Sequence, residues 1–127
     1  MPAVVKPLFM EQGATFTMGF NWYMGPEVEG GDPIPYDVVG KSARMQIRQK
    51  ITSPVLVEAS TENGRITLGP DGRVDIRLRA GDTMLLTTRA AVYDLEIVLD
   101  PRPEYDDVRR VLKGPVTIDP NVTRETP

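Results

Sequence analysis

The sequence predicts an all-β fold, an antiparallel β-sandwich (Ig-like or jelly-roll-like) of about eight short strands with one short helix. Two observations lead to this fold class. Large apolar side chains recur at every second position in several segments, as in strands that bury one face. Clusters of glycine, proline and asparagine separate those segments at near-regular spacing. Because 127 residues suit one core, we expect a single domain over 1–127, with its core at about 3–120, a short N-terminal arm and a tail at 121–127.

The first half of the chain shows the alternation most clearly. Residues 4–10 predict an edge strand, because Pro7 interrupts them and proline inside a strand is tolerated mainly at an edge. Residues 15–22 predict a half-buried strand with large apolar side chains on its core face. A loop rich in glycine and proline follows at 25–35. Residues 42–49 alternate again and predict a strand with one buried face.

The middle of the chain predicts two turns and a helix. A short strand at 55–59 leads into 61–64, where Asn-Gly suits a turn with positive φ. The tight turn at 69–72, with the sequence Gly-Pro-Asp-Gly, joins two alternating segments and predicts a hairpin. Asp82 precedes an apolar triplet, which fits the cap and first turn of a short helix.

The last strands enclose an acidic, proline-rich loop. Residues 93–99 alternate and predict a strand that ends at the loop 100–107. Two further strand segments follow at 108–112 and 116–118. The Gly-Pro pair at 114–115 between them predicts a bulge or bend, not a hairpin turn.

Composition excludes several classes of function. The chain has no Cys and no His, which removes disulfides, Cys/His zinc sites, cysteine nucleophiles and every mechanism that uses histidine. We therefore expect a protein that is not an enzyme, with no catalytic residues, no metal site and no cofactor. A formal net charge of −3 disfavours nucleic-acid binding. The sequence shows neither a long apolar run nor a leader-like start, so we expect no membrane association.

Arginine is unusually frequent, with eleven residues against four lysines. Arg44 and Arg48 share one strand face, and a second stripe comprises Arg73, Arg77 and Arg79. We expect these stripes to form cross-strand ion pairs or protein contacts. A nucleic-acid platform would also need exposed aromatic side chains beside the cations.

Aromatic and acidic residues near the first loop have simpler interpretations. We expect Trp22 to be a core aromatic residue and Tyr23, on the opposite face, to contact a partner. Glu27, Glu29 and Asp32 form an acidic loop whose spacing matches no calcium motif, so we expect it to be solvated.

Several segments together resemble one family. They are 11–16 (Glu-Gln-Gly-Ala-Thr-Phe), Trp22, 36–48, 62–68, 92–96 and 114–118. Their order resembles that of small structural proteins of tailed bacteriophages and prophages. It is also similar to the N-terminal sandwich domain of phage baseplate upper proteins, which anchors receptor-binding proteins to the tail. Ala14 stands where this family usually has aspartate, and the loop 100–107 is longer than the usual family hairpin.

The resemblance implies a structural virion protein, assembled in the bacterial host cytoplasm and present in multiple copies in a symmetric particle. Its role would be an adaptor that links tail-fibre or receptor-binding proteins to the baseplate or tail, and its partners would be other phage virion proteins. One alternative is a head decoration or collar/neck protein. A second alternative, from a different class, is a carbohydrate-binding module that uses Trp22 or Tyr23.

The expected protein-contact residues lie on loops or on solvent-facing strand faces. They are Tyr23, Glu27, Glu29, Tyr36, Arg102, Tyr105 and Arg124. We also expect the terminal segments 1–6 and 121–127 to lie along neighbouring subunits and to become ordered on assembly.

Overall fold

The computed structural model of the chain describes residues 3–24 and 30–123, most of which lie in strands. Within these ranges there are eleven strands and one short helix, and eight of the strands have four residues or more, close to the predicted number. The elements are β1 (Val4–Val5), β2 (Leu8–Glu11), β3 (Phe16–Asn21), β4 (Tyr23–Met24), β5 (Ile34–Pro35), β6 (Ser42–Arg48), β7 (Val55–Ser60), β8 (Ile66–Gly69), β9 (Arg73–Leu78), α1 (Ala80–Thr83), β10 (Ala90–Asp100) and β11 (Asp107–Asp119).

The strands form a six-stranded sheet, a three-stranded sheet and a two-stranded ribbon. The large sheet has the order β1-β11-β10-β6-β7, and β2 also pairs with β11. The small sheet has the order β3-β9-β8, and β4 pairs with β5 in the ribbon. Buried side chains from both larger sheets belong to one hydrophobic core. The predicted all-β, sandwich-like fold is therefore confirmed.

The core takes every second side chain of the central strands, as the alternation predicted. Its most deeply buried large side chains include Met45, Ile47, Ile76, Leu78, Leu95 and Ile97. The inner face of β3 is only half-buried and packs against this core through Phe16, Met18 and Phe20. The half-buried strand predicted at 15–22 is thus confirmed over Phe16–Asn21.

The N-terminal arm departs from the predicted arrangement. β1 and β2 lie at the edge of the large sheet, with Pro7 between them, but both pair in parallel with β11, whereas the sequence predicted only antiparallel pairing. The backbone N–H of Lys6 donates to the carbonyl oxygen of Lys113 at 2.8 Å. Residues 4–6 are therefore paired with their own sheet, so this part of the arm has its structure without a neighbouring subunit. That it also lies along a neighbour stays a prediction.

Tyr93 and Gly114 hold the arm in place. These two residues face each other across β10 and β11. The Tyr93 hydroxyl donates a hydrogen bond to the carbonyl oxygen of Lys6 at 2.7 Å. A Cβ atom at Gly114 would lie 2.7 Å from that same oxygen, so glycine is needed for the close approach of the arm.

Burial of Tyr93 makes this attachment sensitive to alkali, because it raises the pKa of the hydroxyl from 10.0 to about 12. The stability that depends on the protonated hydroxyl is complete below pH 10 and is lost as the pH rises through about 12. We expect Tyr93→Phe to lower the free energy of unfolding at neutral pH by about 1 kcal/mol. The variant should also lose less stability than the parent as the pH rises from 10 to about 12. Urea unfolding at a series of pH values measures both effects, with Tyr23→Phe as an exposed control. An alkaline loss as steep in Tyr93→Phe as in the parent would contradict this assignment.

β11 is one continuous strand, whereas the sequence predicted two segments separated by a bulge at Gly114. The two register shifts between β10 and β11 lie elsewhere, one of them between Val98 and Asp100. Leu95 pairs with Leu112 and Glu96 pairs with Arg110, which leaves Val111 as the extra residue. Gly114 and its neighbouring proline remain inside the strand because they lie opposite the break between β1 and β2.

Both predicted turns and the predicted short helix are present. The hairpin at 69–72 joins β8 and β9, with φ of 61° at Asp71 and 71° at Gly72. The turn at 61–64 has φ of 78° at Gly64 and carries the chain from the large sheet to the small one. The helix begins earlier than predicted: Asp82 is its third residue, not its cap, and accepts a hydrogen bond from the backbone N–H of Arg79 at 2.8 Å.

The start of the predicted C-terminal tail is attached to the body of the protein. The backbone N–H of Asn121 donates to Oε1 of Gln12 at 3.0 Å, so residue 121 is held against the body of the protein. In the part of the chain that the structure describes, no helix has the length and apolar character needed to cross a membrane.

Candidate protein-contact site

The loop between β10 and β11 carries two of the predicted contact residues, Arg102 and Tyr105. The Arg102 guanidinium binds the Asp100 carboxylate through two hydrogen bonds, Nε to Oδ1 at 3.0 Å and Nη2 to Oδ2 at 2.7 Å. The backbone N–H of Arg102 also donates to Oδ1 at 3.0 Å. These bonds, the side-chain ones foremost, lower the pKa of Asp100 to about 2, and the charges of Arg102 and Lys41 act in the same direction. Asp100 is therefore ionised at neutral pH.

Backbone hydrogen bonds fold the loop over Arg102. Its carbonyl oxygen accepts from the N–H groups of Tyr105 at 2.9 Å and Asp106 at 2.7 Å. This turn places the Tyr105 ring 4.3 Å from the guanidinium carbon of Arg102, which is cation–π geometry. Tyr105 is nevertheless 62% exposed. The loop thus presents an aromatic ring and a cation in a fixed arrangement.

A second charged pair begins β11. Arg109 Nε donates to Asp107 Oδ1 at 2.7 Å. The carboxylate raises the pKa of Arg109, with a smaller contribution from Tyr36, which places the Tyr36 hydroxyl beside this pair. The Tyr36 ring is stacked on Trp22, with ring centroids 3.7 Å apart and planes inclined by 16°. Tyr36 thus connects the start of β11 to the end of β3.

Backbone contacts position the two stacked rings. Trp22 donates its N–H to the carbonyl oxygen of Gly72 at 2.8 Å and accepts from the N–H of Tyr36 at 2.9 Å. Trp22 is half-buried and packs against the core, so the expectation of a core aromatic is met only in part. The Tyr36 ring covers one face of the Trp22 ring, so a sugar cannot stack on that face. This counts against Trp22 as the residue of the carbohydrate-binding alternative.

We name residues 22–24, 34–36 and 100–109 the loop end; Tyr36 links its two parts, through its stack on Trp22 and its effect on the pKa of Arg109. The loop end contains four of the predicted contact residues: Tyr36, Arg102, Tyr105 and, in the β4–β5 ribbon, Tyr23, which is 49% exposed. The other three, Glu27, Glu29 and Arg124, lie outside the described residues.

Sequence reasoning did not identify Asp100, Asp107 and Arg109 as parts of this site. A signal for them was present. Asp-Pro-Arg at 100–102 and Asp-Val-Arg at 107–109 both place opposite charges two residues apart, which in an extended chain puts them on one side. The repeated pattern on both sides of one loop indicated a loop fixed by local ion pairs.

Among the described residues, one arginine of each stripe forms a salt bridge, and only the first of these two pairs across strands. Arg44 on β6 lies 3.9 Å from Glu58 on β7 and 3.9 Å from Glu96 on β10, which confirms cross-strand pairing there. Arg73 instead pairs with Asp75 of its own strand, at 2.8 Å.

The described residues contain no group of three or more carboxylates placed to hold a metal ion. No protein-family model matches the chain, and no curated protein sequence matches it either.

Proposed function

We propose that this chain is a structural, non-enzymatic protein of a tailed-phage particle, an adaptor that joins tail-fibre or receptor-binding proteins to the baseplate or tail. The sequence resemblance supports membership of the particle. The observation that carries the contact role is the fixed but exposed pair of Arg102 and Tyr105 at the loop end. Tyrosine and arginine are the residue types enriched where protein interfaces concentrate their binding energy.

In this proposal the protein acts through affinity between surfaces. Arg102 is held by Asp100, and Tyr105 is held by the backbone turn and the guanidinium. Because these contacts already orient both side chains in the free protein, less conformational entropy is lost when a partner binds. In a particle with many symmetry-related copies, contacts of modest individual strength add up to firm attachment.

Cryo-electron microscopy of the particle whose genome encodes this chain tests the proposal. Density for the sandwich between tail and fibre is the expected result and would identify its partners. Density on the capsid or neck would replace the adaptor role by decoration or a collar. Absence of the chain from purified particles would overturn the virion assignment.

The double variant Arg102→Ala/Tyr105→Ala tests the loop end directly. We expect its incorporation into particles to fall at least about tenfold, as for loss of a binding hot spot, while its thermal midpoint stays near that of the parent. Quantitative mass spectrometry of purified particles measures incorporation.

Two matched variants serve as controls. Arg77→Ala removes an exposed arginine from the outer face of the small sheet, and Tyr105→Phe keeps the ring beside Arg102. Both should be incorporated normally. Full incorporation of the double variant would show that the loop end is not the contact surface.

A further inference from the structure

The outer face of the large sheet carries a groove of about 620 Å³ that is separate from the loop end. It crosses β11, β10 and β6. Val5 of the N-terminal arm lies on one side and Ile51, just beyond β6, on the other. Both side chains are exposed, Val5 by 62% and Ile51 by 82%. The groove therefore has apolar side chains at both margins that face solvent in the described structure.

The charges that line the groove are mainly positive. Four cations lie there against two carboxylates, Asp94 and Glu96, although the whole chain has a net charge of −3. The cations are Arg44, Arg48, Arg110 and Lys113. This concentration of positive charge favours a ligand that carries carboxylates.

Three of the four cations are only loosely paired. Arg44 is 60% exposed in its side chain and lies 3.9 Å from each of its two carboxylates. The single ion pair of Arg110, with Asp94, measures 3.4 Å. Lys113 forms no salt bridge among the described residues. Exposed ion pairs with such long contacts contribute little to the stability of the fold. These cations can therefore exchange their present carboxylates for those of a partner with little loss of free energy.

Three arginines elsewhere on the surface are held differently. Arg65, Arg102 and Arg109 each approach their own carboxylate to 2.7 Å, and each donates two hydrogen bonds to it. Their donors are already directed at groups of this chain. By contrast, the salt bridges of Arg44 and Arg110 in the groove are longer, at 3.9 and 3.4 Å.

The fourth cation, Arg48, maintains the shape of the groove. It donates to the carbonyl oxygen of Ser53 at 2.6 Å and to Oε1 of Gln46 at 2.8 Å. The first bond ties the loop that carries Ile51 to the end of β6. The apolar margin is therefore held in position in the free protein, as in preformed binding sites.

We propose that this groove binds an acidic, extended peptide segment of a partner protein. Carboxylates of the segment pair with Arg44, Arg110 and Lys113, and its apolar side chains pack against Val5 and Ile51. Nucleic acid fits less well, because Asp94 and Glu96 lie in the groove and no exposed aromatic ring is there to stack on a base. This inference does not depend on the proposed phage role.

Fluorescence anisotropy with a labelled peptide of sequence Gly-Glu-Leu-Glu-Gly-Glu tests the groove. We expect binding to the full chain that weakens between about 50 and 300 mM salt. The variant Arg44→Glu/Arg110→Glu should lose at least about tenfold in affinity. The matched variant Arg73→Glu/Arg77→Glu, with the same change of net charge on the small sheet, should bind like the parent. If the groove variant does not fold, Arg44→Gln/Arg110→Gln replaces it.

Three results would overturn the proposal. The first is absence of salt-sensitive peptide binding to the parent. The second is an equal loss of affinity in the groove variant and in the matched variant. The third is an occupant of another class: tighter groove-dependent binding of oligothymidylate, or groove-dependent self-association in sedimentation velocity, would assign the groove to nucleic acid or to a second copy of this chain.

Discussion

Replacing Leu95 by alanine is expected to lower the free energy of unfolding by about 3–5 kcal/mol. Leu95 is 0% exposed and lies in the middle of β10, between β6 and β11. Both neighbouring strands hold its backbone, so the space left by the side chain cannot close. The cost therefore includes the lost transfer of the leucine from water and the residual cavity. A domain of this size has a total stability of about 5–15 kcal/mol, so the variant should unfold at a much lower urea concentration.

Leu85→Ala is the matched control, since it removes the same atoms from a side chain that is 56% exposed. It should change the free energy of unfolding by less than about 0.5 kcal/mol. Urea unfolding monitored by far-ultraviolet circular dichroism compares the two variants with the parent. A midpoint for Leu95→Ala equal to that of Leu85→Ala would contradict the core described above.

Replacing Gly72 by alanine is expected to cost about 2–4 kcal/mol, a large loss for the addition of one methyl group. Gly72 has a φ of 71°, which side chains other than glycine rarely adopt. A Cβ atom there would also collide with the carbonyl oxygen of Trp22. The contact cannot relax easily, because the obstacle is backbone that is itself hydrogen-bonded to Tyr36.

Gly64→Ala separates the two causes. Gly64 has a similar φ of 78°, but nothing lies within 4 Å of the position of an added Cβ. Its substitution should cost only the backbone strain, about 1 kcal/mol. Trp22 is the only tryptophan of the chain, so its fluorescence reports on the loop end. We expect altered emission in Gly72→Ala and unchanged emission in Gly64→Ala. Equal stabilities of the two variants would show that the Trp22 contact does not constrain this turn.

Strands with one buried face were predictable because their alternation has a single explanation. In β6 and β10 every second side chain is apolar, and those side chains are the buried ones. The hairpin at 69–72 was predictable for a similar reason, since its Asp-Gly pair tolerates the positive φ that the turn needs. Both features depend on local chemistry that does not change with the rest of the fold.

Pairing between distant strands was not predictable in the same way. Pro7 indicated an edge strand, but the parallel direction of β1 and β2 depends on which strand lies beside them. The bulge at Val111 is likewise a property of two strands together, because a residue is extra only with respect to the register of the strand it pairs with. The sequence predicted a bulge at Gly114, but this glycine instead leaves room for the carbonyl oxygen of Lys6.

In the candidate site, too, local features could be predicted from the sequence, whereas contacts between distant residues could not. Exposed aromatic and charged residues in loop 100–107 could be picked from the sequence, and two of them, Arg102 and Tyr105, do form one arrangement. The stack of Trp22 on Tyr36 was not foreseen, because the two residues are fourteen positions apart and meet through the β4–β5 ribbon.

By itself the sequence determined the class of fold, the buried faces of β6 and β10 and the absence of histidine and cysteine chemistry. Tertiary structure alone decided the ion-pair partners of Arg44 and Arg65, whose carboxylates lie on other strands or on the helix. The physical reason is that hydrophobic periodicity is read along one strand, whereas an ion pair depends on the distance between side chains of several strands. The groove on the large sheet exists only because the sheet places β11, which carries Arg110 and Lys113, on one side of β10 and β6, which carries Arg44, on the other.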